Sequence, residues 1–239
     1  SSINAGVAST NQKQSTAPVP SSTKEGFFLF TPWDSTTTYL INETGVVNHT
    51  WQSTYTPNID SYMMDNGSII LAIASGQGGL QKIAYDGTVL WEYHYTQDGS
   101  YASHDIVPLP NGDVIMIMQE IKSRTQAIQA GRNPNNLGND FRPDFLIQVH
   151  KTGPTSGDIV WEWSCTDHFE EMGFTEAARN VLARNPSMRF SGTGVGDWMH
   201  TNSMSLLGPN RWYDRGDVRF HPDNIIWAGR QTNIIAITD

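Results

Sequence analysis

The stretch Ser103-His104-Asp105-Ile106-Val107-Pro108-Leu109-Pro110-Asn111-Gly112 decides the fold, because it recurs along the chain. One copy runs from Asn58 to Gly67, and a later copy runs from Met199 to Gly208. Self-similarity at a period of roughly 40–50 residues, built from short apolar runs, is typical of the blades of a β-propeller. We therefore predict an all-β propeller in which each copy opens one blade.

The copy that begins at Asn58 is complete enough to define the repeating unit. Its opening strand is followed by the turn Asp65-Asn66-Gly67, and a second turn falls at Asp86-Gly87. Asn-Gly and Asp-Gly tolerate the positive φ angles that tight hairpins demand. The remaining strands are predicted from Ser68 to Ala74, from Gly79 to Tyr85 and from Thr88 to Tyr93. In the next unit the polar stretch from Lys122 to Asp144 is predicted to be a long surface loop.

The pattern divides the chain into a leader and a partial propeller. Residues 1–25 are rich in Ser, Thr, Ala and Pro and are predicted to be flexible, whereas residues 26–239 form the propeller. The predicted blades are roughly 26–56, 57–100, 101–196 and 197–239. The first lacks an opening strand and the last lacks its fourth, which would expose an unpaired edge. We expect the remainder of the same polypeptide, or a completing chain, to close the propeller.

Tryptophan recurs near the end of successive units, at Trp51, Trp91 and Trp161. Each follows a glycine by a few residues, so the three side chains are predicted to anchor the packing between sheets. Only residues 170–185 have a pattern that favours a helix. The single cysteine, Cys165, is interpreted as a buried thiol, with a disulfide to another part of the protein left open.

Composition narrows the possible partners. The formal net charge of −9 over 239 residues argues against nucleic acid, because phosphate binding needs a basic face. No apolar run reaches the length of a membrane span. Three acceptor triplets for N-glycosylation begin at Asn42, Asn48 and Asn66. Together with the leader, they favour an exported protein, whether periplasmic, cell-surface or extracellular.

The candidate site comes from the register of two histidines. His104 lies eight residues before Gly112, and His200 lies eight residues before Gly208. Equal register predicts that both imidazoles lie at the same height around the central channel. Asn202 follows His200 by one strand period and is predicted to share its face. Arg230, at the end of the next strand, could project to the same end of the central channel. The four side chains together would suit the binding of an anionic group.

Other polar residues are assigned no chemical role at this stage. Asp197 is interpreted as a turn or cap residue, and five histidines outside the shared register are interpreted as surface or structural: His49, His94, His150, His168 and His221. The chain has no zinc-type CxxC pair, Gly-rich phosphate loop or GxSxG elbow, so neither a metal nor an organic cofactor is predicted.

In the segments that carry the candidate site residues, the chain resembles the bacterial arylsulfate sulfotransferase family. The matching segments are 104–113, 157–163, 197–203 and 229–231, of which Asp197-Trp198-Met199-His200-Thr201-Asn202-Ser203 is the most specific. The resemblance covers most of the chain from about Gly26. It implies an exported six-bladed propeller that transfers a sulfuryl group from a phenolic sulfate ester to a phenol, through a transient sulfohistidine and without a nucleotide donor.

By resemblance, His104, His200, Asn202 and Arg230 would bind and polarise the sulfate group. The family's nucleophilic histidine belongs to a later blade, and no residue of this chain matches it. We therefore expect the nucleophile beyond Asp239, so the sequence leaves open whether the protein is an active enzyme. The expected small-molecule partners are a phenolic sulfate ester and a phenol, and a homo-oligomer is also possible.

A second hypothesis is a non-catalytic extracellular glycoprotein that uses the propeller as an adhesion or assembly module. The glycosylation triplets, the Ser/Thr-rich leader and the unmatched nucleophile favour it. The set of His104, His200, Asn202 and Arg230 favours the enzyme.

Overall fold

The computed structural model describes residues 26–74, 76–97, 99–129, 134, 140–168, 197, 199–230, 232 and 234–239. Within these residues the fold is all-β and every strand pairing is antiparallel, which confirms the predicted fold class. No helix in the described part is long and apolar enough to span a membrane.

Four main sheets follow one another along the chain, and a small two-stranded sheet, described below, interrupts the third. The first contains β1 (Phe27–Phe30), β2 (Thr37–Asn42) and β3 (Val47–Gln52), and the second contains β4 (Pro57–Met63), β5 (Ile69–Ile73), β6 (Gly79–Ile83) and β7 (Val89–His94). The third contains β8 (Ser100–Pro108), β9 (Val114–Glu120), β12 (Asp144–Gly153) and β13 (Ser156–Ser164). The fourth contains β14 (Thr201–Leu206), β15 (Ile225–Gly229) and β16 (Ile234–Thr238).

Each sheet is a meander in which consecutive strands are neighbours, apart from the excursion between β9 and β12. The first and fourth sheets have three strands in the described chain. Trp51 lies on β3, the last strand of its sheet, just as Trp91 lies on the last strand of the second. Among the described residues, the first sheet therefore lacks the opening strand of the repeat and the fourth lacks its closing strand, as the sequence pattern predicts.

Successive sheets bury an apolar layer between them, and the two-residue period of the strands divides their side chains between the two layers. On β5, Ile69, Leu71 and Ile73 pack toward the first sheet, whereas Ile70 and Ala72 pack toward the third. On β9 the same alternation separates Val114, Met116 and Met118 from Ile115 and Ile117. Face-to-face stacking of this kind is the packing of propeller blades, although the described residues do not form a closed ring.

The recurring tryptophans differ in what their indole groups contact. Trp91 is buried and its Nε1 donates to the carbonyl of Ser156 in the next sheet at 3.0 Å. Trp51 is equally buried, but its Nε1 has no hydrogen-bond partner among the described residues. Trp161 is only partly buried. Two of the three predicted anchors are therefore enclosed, and one of them is tied to the neighbouring sheet by a hydrogen bond.

The sequence predicted a long surface loop from Lys122 to Asp144, but the segment is not wholly a loop. It contains the short strands β10 (Lys122–Ser123) and β11 (Asp140–Phe141), which pair with each other, and the helix α1 (Arg124–Gln129). Ala127 and Phe141 are buried in the apolar layer shared by the third and fourth sheets. Their burial explains why parts of this segment form regular secondary structure. Cys165 is buried in the same layer. The predicted helix at 170–185 lies outside the described residues.

Three hairpins share one turn design, in which an Asn or Asp oxygen caps the backbone two residues later. Asn66 Oδ1 accepts from the amide of Ser68 at 3.1 Å, and Asp86 and Asn111 do the same for residues 88 and 113. Asn66 also accepts from the Ser68 hydroxyl at 2.7 Å. The acceptor triplet at Asn66 therefore has a structural reason that is independent of glycosylation. Asn42 caps its turn in a similar way, accepting from Thr44 and Val46.

Candidate functional site

The two histidines of the shared register both have a left-handed backbone. The φ angle is 43° at His104 and 51° at His200, a conformation that is uncommon for residues other than glycine. His104 lies in a bulge of β8, where the pairing with β9 is interrupted between Ala102 and Ile106. His200 directly precedes β14, whose pairing is irregular between Thr201 and Ser203. Bulges redirect side chains out of the regular pleat. His104 lies within one irregularity and His200 directly before the other.

The imidazoles of His104 and His200 are in direct contact. Their Nε2 atoms lie 3.1 Å apart, a hydrogen-bond distance, and their ring centroids are 4.7 Å apart with the planes tilted by 58°. One Nε2 must carry a proton and the other a lone pair for this contact to be attractive. The equal register in the sequence thus corresponds to a pair of rings from adjacent sheets.

Arg230 joins this pair through both its backbone and its side chain. Its amide donates to the carbonyl of His200 at 3.0 Å, and one terminal guanidinium nitrogen lies 3.4 Å from His200 Nε2. Arg230 follows Gly229, the last residue of β15, and is exposed. A fixed positive charge therefore borders the histidine pair on its solvent side.

Asn202 lies at the irregularity in β14, so the strand period that predicted a face shared with His200 does not hold there. The residue is exposed, and its side chain makes no hydrogen bond with the residues that the structure describes. His104, His200 and Arg230 are brought together, whereas Asn202 lies near them in sequence without a described contact.

Sequence reasoning missed the group behind His200, which is Asp197. Its Oδ2 lies 2.5 Å from His200 Nδ1, so the residue is not merely a turn or cap residue as the sequence suggested. Its Oδ1 accepts from the side-chain amide of Gln119 at 2.9 Å. The same amide donates to Asp144 Oδ1 at 2.9 Å, and Asp144 Oδ2 accepts from the amide of Thr201 at 2.6 Å. The three-residue separation of Asp197 and His200 did not reveal this pair, because the contact depends on the left-handed backbone at His200.

The two histidines have opposite tendencies to hold a proton. Burial and the facing imidazole of His200 lower the pKa of His104. The hydrogen bond to Asp197 raises the pKa of His200, against an opposing effect of burial. Burial also raises the pKa of Asp144 to about 6. The proton of the pair therefore favours His200, and His104 favours the neutral form.

The buried carboxylate of Asp105, next to His104, links the first strands of the second, third and fourth sheets. Asp105 accepts from the Tyr62 hydroxyl on β4 at 2.7 Å and from the amide of Met204 on β14 at 2.8 Å. Burial and the charge of Asp105 raise the pKa of Asp60 to about 6. The bulge of β8 that carries His104 is thus attached to β4 on one side and to β14 on the other.

The described residues include no group of three or more His, Cys, Asp or Glu side chains arranged to hold a metal ion. The polar groups that do converge are two imidazoles and a guanidinium. Such a set offers hydrogen-bond donors and positive charge to an anion with several oxygens.

Comparison with protein families shows which family this chain belongs to. A family model described as arylsulfotransferase (ASST) matches residues 12–239. The chain belongs to the arylsulfotransferase family. The match spans all four sheets and includes His104, His200 and Arg230, so the converging residues lie within the part that the arylsulfotransferase family shares.

Among curated proteins, no match to this arylsulfotransferase-family chain is found. A solved structure similar to it is that of a protein of unknown function from Bacteroides caccae, with 14 % sequence identity and a TM-score of 0.36. The similarity covers 57 % of this chain and 39 % of that protein, so the chain spans well under half of the structure that it matches.

Proposed function

We propose that this chain supplies the sulfate-binding part of an exported arylsulfotransferase that moves a sulfuryl group from a phenolic sulfate ester to a phenolic acceptor. The observation that carries the proposal is the contact of His104 with His200, bordered by Arg230, in a chain of the arylsulfotransferase family. These groups come from adjacent sheets, and their chemistry suits a sulfate ester, which presents a negative charge spread over several oxygens.

The proposed roles follow from the charge of each group. Arg230 would hold the sulfate oxygens through its charged, planar donor group. His200, whose proton is favoured by Asp197, would donate a hydrogen bond to an oxygen on which negative charge develops in the transition state. His104, whose Nε2 would accept from His200 in the pair, remains a predicted sulfate ligand by family resemblance. Asn202 remains a predicted sulfate ligand by family resemblance alone.

The proposed chemistry is covalent transfer through a histidine outside residues 1–239. The imidazole lone pair of that nucleophile would attack sulfur, forming an N–S bond while the bond between sulfur and the phenolic oxygen breaks and its electron pair leaves with the phenolate. The oxygen of the acceptor phenol would then attack sulfur while the N–S bond breaks and its electron pair returns to the imidazole. The proton of that phenol would pass through solvent to the phenolate released in the first step. The sulfuryl group is transferred first to the histidine and then to the acceptor phenol, so no oxidant or nucleotide is required.

The test is release of phenol from a chromogenic aryl sulfate by the full protein, with a second phenol present as acceptor. Arg230→Ala should lower the rate by about 10²–10³, the usual cost of a lost transition-state donor. Arg230→Lys should restore little, because it keeps the charge and loses the planar fork. Arg219→Ala is the matched control, since Arg219 is exposed and pairs with Asp217 in the segment 207–224 between β14 and β15, here called the surface insert.

Two outcomes would contradict parts of this proposal. Turnover by residues 1–239 alone would show that the nucleophile lies within this chain. Inactivity of the full protein across a panel of aryl sulfates would favour the non-catalytic adhesion module. The structural role of the acceptor triplets at Asn42 and Asn66 weakens the support that those triplets gave to that alternative.

A further inference from the structure

We propose that Asp197 is a positioning residue of this site: its carboxylate holds the Nδ1 proton of His200, so that the imidazole presents Nε2 to His104 and Arg230. The proposal rests on the proposed function for its role in catalysis, but its structural content can be tested without substrate.

The first argument is geometric. Asp197 Oδ2 and His200 Nδ1 are 2.5 Å apart, and both side chains are largely buried, with exposed fractions of 19 % and 18 %. A carboxylate offers only acceptors, so His200 must donate from Nδ1. With Nδ1 occupied, only Nε2 remains to face His104 at 3.1 Å and Arg230 at 3.4 Å.

The second argument is that the carboxylate is itself held in place from another sheet. Gln119, buried on β9, uses its side-chain amide to donate to Asp197 and Asp144, each at 2.9 Å. Its carbonyl oxygen accepts from the Tyr101 hydroxyl, which in turn receives a hydrogen bond from Arg142. Both ends of the Gln119 amide are thus committed, and this fixes its orientation. An amide so constrained can hold a carboxylate at one position.

The third argument is electrostatic. The charged and titratable groups that act on the His200 ring are Asp197, Arg230 and Asp144, and the His104 ring faces it. Asp197 is the one that makes a hydrogen bond with the ring and favours the protonated form. Without it, burial and the nearby Arg230 would both disfavour a positive charge on His200. Asp197 therefore determines which ring of the pair carries the proton.

The experiment is a proton and nitrogen NMR titration of the histidines in the 239-residue chain, with the His200 signals assigned by their loss in His200→Asn. In the wild type, His200 should retain its Nδ1 proton and titrate above an ordinary histidine. In Asp197→Asn, its midpoint should fall by about one pH unit or more, because an opposite charge at this distance typically shifts a pKa by 1–3 units. An unchanged midpoint together with an unchanged Nδ1 proton would overturn the proposal.

Asp223→Asn is the matched control, since Asp223 is exposed and faces His221 Nδ1 at 3.8 Å in the surface insert. It should leave the His200 midpoint in place. If Asp197→Asn does not fold, Gln119→Met tests the same inference by releasing Asp197 while keeping the carboxylate. It should lower the His200 midpoint by a smaller amount, and no change would count against the proposal.

In the full protein, Asp197→Asn should lower kcat more than it raises KM and should displace the limb of the pH–rate profile that reports His200. A shifted NMR midpoint in a protein that transfers no sulfuryl group would uphold the role of Asp197 and overturn the proposed function. An unshifted midpoint in an active enzyme would do the reverse.

Discussion

The Nε2 atoms of His104 and His200 lie 3.1 Å apart across two sheets, and both residues have a left-handed backbone. The coincidence of an unusual backbone with a direct side-chain contact indicates that the surrounding structure enforces the conformation. Unfavourable backbone angles persist where the surroundings determine them, and such angles cluster at functional sites.

The backbone strain at His104 can be separated from the loss of its ring. We expect His104→Gly to be more stable than His104→Ala by about 1 kcal/mol, because only glycine adopts a positive φ without a steric cost. At the exposed strand position Val160 the order should be reversed, with alanine more stable than glycine. Urea unfolding of the four variants gives the comparison. Equal stabilities of the two His104 variants would show that the conformation carries no strain.

Asp105 should contribute more to stability than either of its partners taken alone. Asp105→Ala leaves the buried amide of Met204 without an acceptor and removes the bond from Tyr62, at a cost of about 2–4 kcal/mol. Tyr62→Phe removes only the second of these bonds and should cost about 1 kcal/mol. Denaturant midpoints measure both. A Tyr62→Phe variant as unstable as Asp105→Ala would mean that the link to β14 contributes nothing.

Acid should destabilise the fold partly through His104. Its pKa is lowered in the folded state from an unfolded value of 6.5, so below pH 6.5 the unfolded chain binds more protons at this residue. This contribution to stability is present above pH 6.5 and is lost as the pH falls through the folded value. His104→Gln should therefore lose less stability than the wild type between pH 7.5 and pH 5.

The same pH comparison needs a control, because other groups titrate in this range. The raised pKa values of Asp60 and Asp144, about 6 each, have the opposite sign: they favour folding at low pH and lose that effect as the pH rises toward 6. They are common to both proteins and cancel in the difference. His221→Gln, in the surface insert, should retain the wild-type slope, and a slope for His104→Gln equal to it would contradict the expectation.

The acceptor triplets can be tested for structural roles in protein made without glycosylation. Asn66→Gln should lower the stability by about 1 kcal/mol, because the longer side chain no longer caps the Ser68 amide. Asn48 is exposed on β3 and makes no side-chain hydrogen bond among the described residues, so Asn48→Gln should be neutral. Mass spectrometry of protein from a glycosylating host tests the separate prediction that the triplets are modified.

The sequence predicted the meeting of His104 and His200 because register along a repeat is a local property. Each histidine lies a fixed distance before a turn glycine, and the bulges do not disturb that spacing. The pairings confirm the equivalence of the copies, since β4 is interrupted between Pro57 and Ser61 just as β8 is between Ala102 and Ile106. A repeat therefore predicts which residues share a level, even where strand geometry is irregular.

The remaining parts of the site depend on features that residue spacing does not encode. The face of Asn202 was inferred from a regular strand, and the irregularity at that residue removes the basis of the inference. The partner of Asp197 depends on the left-handed turn at His200, and its second contact comes from Gln119, 78 residues earlier. Contacts of this kind follow from how sheets stack, which requires the three-dimensional structure.

The carboxylate of Asp105 has a consequence for the time course of synthesis. Its two partners from other sheets, Tyr62 and Met204, lie 43 residues before it and 99 residues after it. At the usual synthesis rate of about 5–20 residues per second, the Met204 amide emerges roughly 5–20 s after Asp105. During that interval the nascent chain holds a carboxylate that lacks its Met204 donor and a histidine, His104, that lacks its partner His200. We expect the third sheet to stay loosely ordered on the ribosome until the fourth arrives, so a pause in translation between the two would lengthen its exposure to proteases and chaperones.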